Sequence, residues 1–181
     1  VVFLFLIAKH KKNFFNSLIK IGSPGLIGGI ILAGGYAGYV FAMYNTTVTN
    51  ANFIIQTQTI FLALFGYIFL REKISKLTLI SIILAISGIT LMLGGSLTAG
   101  QMVGNIAAFL MPISFAVLIL IVRKFPDIDM VPLQLIAGLG AMTLGYFFSS
   151  KIIVSSHDII LGFVAGFFQV GLGFILITIG A

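Results

Sequence analysis

The sequence predicts an all-α, polytopic membrane helix bundle, and three observations carry the prediction. Of the 181 residues, 60% are hydrophobic and only 8% are charged, where soluble domains carry about a quarter. Apolar runs of about twenty residues, long enough as helices to cross a bilayer core of roughly 30 Å, recur along the chain. The basic residues fall between those runs, so the net charge of +6 reads as membrane topology and not as a nucleic-acid surface. With no cysteine, a disulfide framework, thiol chemistry and thiolate metal sites are excluded.

Taken in order, VVFLFLIA (residues 1–8) is apolar but would cover only about 12 Å as a helix. It is expected to be the tail of a helix, and it lacks the basic start of a secretory signal. A basic loop follows from Lys9 to Lys20, with an interfacial half-turn at Phe14 and Phe15. The second span is Pro24 to Tyr44, with proline in the first turn, where its missing N–H costs nothing. Gly34 and Gly38 form a GxxxG pair suited to close helix packing. The third span, Thr49 to Leu70, and the fourth, Leu77 to Gly95, flank a tight basic hinge at Arg71-Glu72-Lys73. The fifth runs from Met102 to Val122 with Pro112 as a kink. The sixth is Met130 to Phe148, and a polar loop to Asp158 leads to the seventh, Ile159 to Ile179. The expectation is six complete spans plus an N-terminal helix stub.

Loop charges test this count. Loops holding Lys9/Lys11/Lys12/Lys20, Arg71/Lys73/Lys76 and Arg123/Lys124 contain nine of the ten basic residues, leaving Lys151 alone. These are alternate loops, so the positive-inside bias places residues 9–23, 71–76 and 123–129 in the cytoplasm. A spurious span would break the alternation.

Thr49, Asn52, Gln56 and Thr59 recur at i, i+3, i+7 and i+10, so they share one helical face. Polar groups facing lipid are costly, which turns that face toward protein or water. The preferred reading is a solute cavity offering neutral donors and acceptors. The alternative is glue between helices, about 0.6 kcal/mol per hydrogen bond in membranes. Asn50, Thr57 and Gln58 lie off the stripe and are assigned to glue. Gln169 shares a small-residue face with Gly162, Gly166 and Gly173, which suits polar access or plain packing equally. Asn105 and Gln134 read as interfacial, Tyr36 and Tyr39 as packing residues in preference to rings stacking on a ring-bearing substrate, and Glu72 as a solvated hinge charge. His10 and His157 sit in separate loops, too far apart to share a metal. The spans hold no Asp, Glu, Lys, Arg or His. No intramembrane proton relay, nucleophile–base pair or metal cluster is therefore expected, and no cofactor.

A shift of 135 positions lays Leu26 to Thr46 on Leu161 to Ala181, matching Leu26 with Leu161 and Gly38 with Gly173, and placing Gly34 on Gln169. Both segments follow a loop of similar length and are expected to run outward. They lie five spans apart, so the two halves are expected to be inverted, as in secondary transporters whose substrate sites lie between repeats.

ANFIIQTQTIFLALFGYIFLREKIS (residues 51–75), with ISGITLML (residues 86–93) after it, resembles the EamA-type units of the drug/metabolite transporter superfamily. Gly66, Tyr67, Glu72, Lys73, Ser75, Gly88 and Leu93 match that pattern. Gly104, Ala108, Phe115, Ala116 and Arg123 resemble the opening helix of a second unit. Two positions depart from it: a mid-helix proline falls on Thr59, and the glycine before the hinge glutamate is Arg71. The resemblance implies two inverted repeats of five helices in the full-length parent, with both termini cytoplasmic. On that map residues 1–97 are most of the first repeat and 98–181 the first part of the second.

Together these readings predict a secondary transporter, not an enzyme. It would move a small organic metabolite or drug across the cell (inner) membrane by alternating access, with Thr49, Asn52, Gln56, Thr59 and Gln169 binding substrate. Its partners would be that small molecule and the lipid bilayer, with no nucleic acid, and a homodimer is left open. The alternative from another class is a non-transporting membrane scaffold whose polar face binds a partner helix.

Overall fold

A computed structural model of the chain describes residues 2–10, 14–94, 99–148 and 155–180, and among these every regular element is helical. Helix boundaries fall where the backbone loses or gains a partner. After α1 (Val2–His10) and α2 (Phe14–Lys20), Gly22 turns the chain with φ +60°, a conformation glycine adopts without a Cβ clash. The half-turn expected at Phe14 and Phe15 is thus a seven-residue helix. α3 (Gly22–Asn45) follows with Pro24 in its first turn. Thr47 then caps α4 (Val48–Ile55), its hydroxyl accepting the Asn50 N–H at 3.1 Å; such a cap contributes about 1 kcal/mol.

α5 (Gln58–Leu70) ends at Arg71, whose φ of 57° and ψ of 29° are left-handed. Ser75 starts α6 (Lys76–Gly94) by accepting the Thr78 N–H at 3.1 Å. The expected kink at Pro112 is realised as a boundary four residues upstream, where α7 (Ala99–Ala108) stops and α8 (Leu110–Lys124) begins. A proline has no N–H for the carbonyl of residue i−4, here Ala108, and its ring crowds that carbonyl. Asp129 Oδ1 accepts the Val131 N–H at 3.2 Å at the start of α9 (Val131–Phe148). Ser155 opens α10 (Ser156–Val164) in a reciprocal cap: its Oγ accepts the Asp158 N–H at 3.1 Å and donates to Oδ2 at 2.7 Å. A π-helical stretch, Ala165–Leu172, then leads to α11 (Gly173–Gly180).

By length and composition, Gly22–Asn45, Val48–Leu70, Gln101–Lys124, Val131–Phe148 and Ser156–Gly180 are long and apolar enough to cross a membrane, and Lys76–Leu91 is a shorter apolar helix. The chain is a multi-pass membrane helix bundle, as the sequence predicts. Lys11, Lys12, Lys151 and the 97/98 repeat boundary lie outside the described residues.

The described residues form two compact units, one from residues 1–33 with 121–181 and one from 34–120. In the first, Leu6, Val131 and Ile175 pack as a buried cluster, joining the end of α1 to the start of α9 and to α11. Just beyond it Lys9 Nζ lies 2.7 Å from Asp129 Oδ2. α3 enters this unit through its glycines: a β-carbon on Gly28 would lie 2.8 Å from Leu133 Cδ1, and one on Gly29 2.9 Å from Ile136 Cβ. Further along, a β-carbon on Gly140 would lie 2.8 Å from that of Ala33, so α3 and α9 advance side by side in one direction. The last span runs the other way. The chain leaves α9 at Phe148 and meets its start again only at Thr178, which accepts a hydrogen bond from Gln134 Nε2. The expectation that the second and seventh spans both run outward is therefore corrected. Five spans is an odd step, and an odd number of crossings reverses direction.

In the second unit Ala42, Ala51, Ile54 and Ala108 form the buried cluster, with Tyr39, Met43, Ala107 and Phe109 packed around it. A β-carbon on Gly38 would meet Leu110 Cδ1 at 2.6 Å, whereas one on Gly34 would meet nothing within 4 Å. Close packing on α3 thus uses Gly35 and Gly38 in this unit, and the expected Gly34/Gly38 pair is only half engaged. A β-carbon on Gly35 would lie 2.7 Å from Ser114 Cβ.

Candidate functional site

The polar stripe is built on α4 and the first turn of α5. Asn50, Ala51, Ile54 and Thr57 are buried, while Thr49, Asn52, Gln56 and Thr59 are all exposed. At about 100° per residue, the two sets point roughly 160° apart around the helix. The structure therefore puts the glue residues Asn50 and Thr57 in the packed face, as expected, and gathers the four stripe residues on the other. An exposed carboxamide on a spanning helix needs water or another polar group beside it.

The stripe is also where the span breaks. α4 stops at Ile55 and α5 resumes at Gln58. The Gln56 N–H is shared between Phe53 O at 3.1 Å and Asn52 O at 3.4 Å, and the Thr57 N–H goes to Ile54 O, three residues back, at 3.0 Å. Thr57 Oγ1 donates to the same Ile54 carbonyl at 2.6 Å and holds the tightened turn in place. Thr59 Oγ1 donates to Gln56 O at 3.2 Å. Threonine hydroxyls thus do at residues 56–59 what a proline would do by removing an N–H. From α3, Tyr39 Oη donates to Asn52 Oδ1 of the stripe at 3.1 Å. The sequence reading favoured packing for Tyr39, and an i,i+13 link across a turn leaves no periodic signal that would show this bond.

A second polar group, buried, lies where α3, α4 and α7 meet. Thr46 Oγ1 donates to Asn105 Oδ1 at 2.6 Å and accepts from Asn50 Nδ2 at 3.3 Å. A β-carbon on Gly104 would fall 2.5 Å from the Asn45 carbonyl, so only glycine lets α7 approach the turn. Asn105 is 6% exposed, which corrects its reading as an interfacial residue. Gln134 is likewise buried and bonded to Thr178, not interfacial. Gln169 belongs to the other compact unit, in the π-helical stretch, and its side chain lies outside the described residues. β-Carbons on Gly162, Gly166 and Gly173 would meet nothing within 4 Å.

The hinge after α5 explains why certain residues recur together in the sequence pattern. The backbone N–H groups of Arg71 and Glu72 both return to Gly66 O, the latter at 3.1 Å. The Glu72 carboxylate folds back so that Oε2 lies 2.7 Å from where a Gly66 β-carbon would be. Gly66 makes room, Glu72 fills it, and Ser75 caps the next helix. The profile of the EamA-like transporter family matches residues 1–94, a stretch that contains the stripe, the break and this hinge. The chain belongs to the EamA-like transporter family. No curated protein and no solved structure matches it. Within this EamA chain, the described geometry assigns the pattern residues Gly66, Glu72 and Ser75 to shaping the hairpin between two spans and leaves Thr49, Asn52, Gln56 and Thr59 as the exposed polar groups of the candidate site.

Proposed function

We propose that this EamA-family chain acts in a secondary transporter that moves a small organic metabolite or drug across the cytoplasmic membrane by alternating access. Thr49, Asn52, Gln56 and Thr59 line the solute route. The observation that carries this reading is the coincidence of exposed carboxamides with a helix break in one span. Interrupted spanning helices expose backbone and side-chain polar groups where solutes bind in secondary transporters. Residues 1–97 serve as most of one repeat and 98–181 as the first part of its inverted counterpart; the family match over 1–94 and the opposed second and seventh spans support that division. Loops 9–23, 71–76 and 123–129 face the cytoplasm, supported by nine of ten basic residues and by the Lys9–Asp129 pair.

The test is efflux or uptake by the full-length protein with Asn52→Ala and Gln56→Ala. Loss of transport at normal protein level is expected; unchanged transport would remove the stripe from the route. Single cysteines at 49, 52, 56 and 59 add a second measurement. A hydrophilic maleimide should reach all four, whereas protection at all four would mark a face mated to a partner helix, as in a scaffold.

A further inference from the structure

Tyr39 gives the stripe a direction. Its ring packs on the buried cluster of Ala42, Ala51, Ile54 and Ala108, so the phenol is held in place. Its Oη donates to Asn52 Oδ1 at 3.1 Å. A carboxamide has an acceptor end and a donor end. With the oxygen turned to Tyr39, the exposed Asn52 offers a solute its two N–H donors. Two turns on, about 10 Å along the axis, Thr59 directs its hydroxyl proton to Gln56 O at 3.2 Å. Thr59 therefore presents only lone pairs. Gln56, exposed between them, can offer both. The stripe itself carries no acid or base, so within it hydrogen-bond direction does the discriminating.

Resting on the reading of the stripe as the solute route, we infer that Tyr39 is a positioning residue that fixes Asn52 as a donor, and that the solute presents an acceptor, a carboxylate or carbonyl oxygen, to the Asn52 turn. Asn52→Asp would keep an acceptor for Tyr39 and replace the outward donors by a second acceptor. Tyr39→Phe keeps the ring packing and releases the amide to turn either way.

The experiment uses the full-length protein in proteoliposomes, in a cysteine-free background with Thr49→Cys as the reporter thiol. The rate of labelling by a hydrophilic maleimide is measured with propionate, which only accepts, or propylammonium, which only donates. Propionate should reach half-protection at a concentration about two- to tenfold lower, the range one hydrogen bond supplies. Asn52→Asp should reverse that order. Tyr39→Phe should bring the ratio near one while leaving the labelling rate without probe unchanged, a result that loss of packing alone would not produce. An intact propionate preference in Tyr39→Phe overturns the inference, as does equal protection by both probes in the parent. If the maleimide never reaches Cys at position 49, the solute-route reading itself fails; fast labelling without discrimination overturns the role of Tyr39 alone.

Discussion

Lys9 Nζ and Asp129 Oδ2, 120 residues apart in sequence, meet at 2.7 Å. The carboxylate serves two helices, since its other oxygen takes the Val131 N–H at 3.2 Å. It thus stabilises the positive N-terminus of α9 while the ammonium sits at the negative C-terminus of α1. The pair is partly exposed, with side-chain exposures of 41% and 29%, so the ionic part is worth little, about 0–1 kcal/mol. The cap contributes about as much again. Asp129→Asn keeps a capping oxygen and loses the charge, whereas Asp129→Ala loses both. Thermal unfolding in detergent should rank the parent above Asn and Asn above Ala, with roughly 1 kcal/mol between the last two. Equal stability of the two variants would remove the cap from the account.

The pair also fixes threading. Single cysteines replacing His10 and Ile128 should label from the same side of the membrane with an impermeant reagent. Labelling from opposite sides would break the inferred topology, because the ends of α1 and α9 could not then meet.

At the hinge, Arg71 is the non-glycine residue with positive φ among the described residues, at 57°. Left-handed positions after a helix are usually glycine, and other side chains cost about 1 kcal/mol there. Arg71→Gly should therefore raise thermal stability by an increment of that order. Gly66→Val should lower it and displace Glu72, since a β-carbon already falls 2.7 Å from Oε2. A neutral outcome for Gly66→Val would show that the carboxylate moves aside freely.

How much of this was legible in the sequence follows from what each feature depends on. Spans and loop charges were legible because burial in lipid demands about twenty apolar residues whatever the neighbours are. The stripe was legible because helical periodicity is local: Asn52 and Gln56 point away from Asn50 and Thr57 as spacing alone requires. Asn105 and Gln134 were misread because their partners, Thr46 and Thr178, lie 59 and 44 residues away. A polar residue near a span end looks interfacial until its partner is placed. The direction of the seventh span was misread from the similar loops before the two segments, because loop length does not fix direction and the odd number of crossings between them does.

The buried group at Thr46, Asn50 and Asn105 predicts non-additive energetics. Thr46→Val leaves the buried Asn105 carboxamide without its 2.6 Å partner, at a cost of about 1–3 kcal/mol, while Asn105→Leu leaves the half-buried Thr46 hydroxyl with Asn50 alone and should cost less. Removing both should cost less than the sum of the single losses. A double-mutant cycle by thermal unfolding measures the coupling, and strict additivity would mean that the bond contributes nothing.

The break in the third span makes the sharpest structural prediction, because it concerns a proline the chain does not have. Proline inside a helix costs about 3 kcal/mol, through a missing N–H and a clash with the carbonyl four residues back. In the first turn of a helix the N–H has no partner within that helix, so the first of these penalties falls away. Thr59 stands in the first turn of α5, which begins at Gln58, and the turn before it is already held by Thr57 Oγ1 on Ile54 O at 2.6 Å. Thr59→Pro should therefore fold with a smaller loss than Phe65→Pro, in the middle of α5, which should show the full penalty of about 3 kcal/mol. Thr57→Val removes the hydroxyl that supports the break, so proline at 59 in that background should become stabilising relative to threonine. If thermal unfolding finds Thr59→Pro as damaging as Phe65→Pro, the span is continuous in the folded protein, and the exposed carboxamides of Asn52 and Gln56 lie on an unbroken helix.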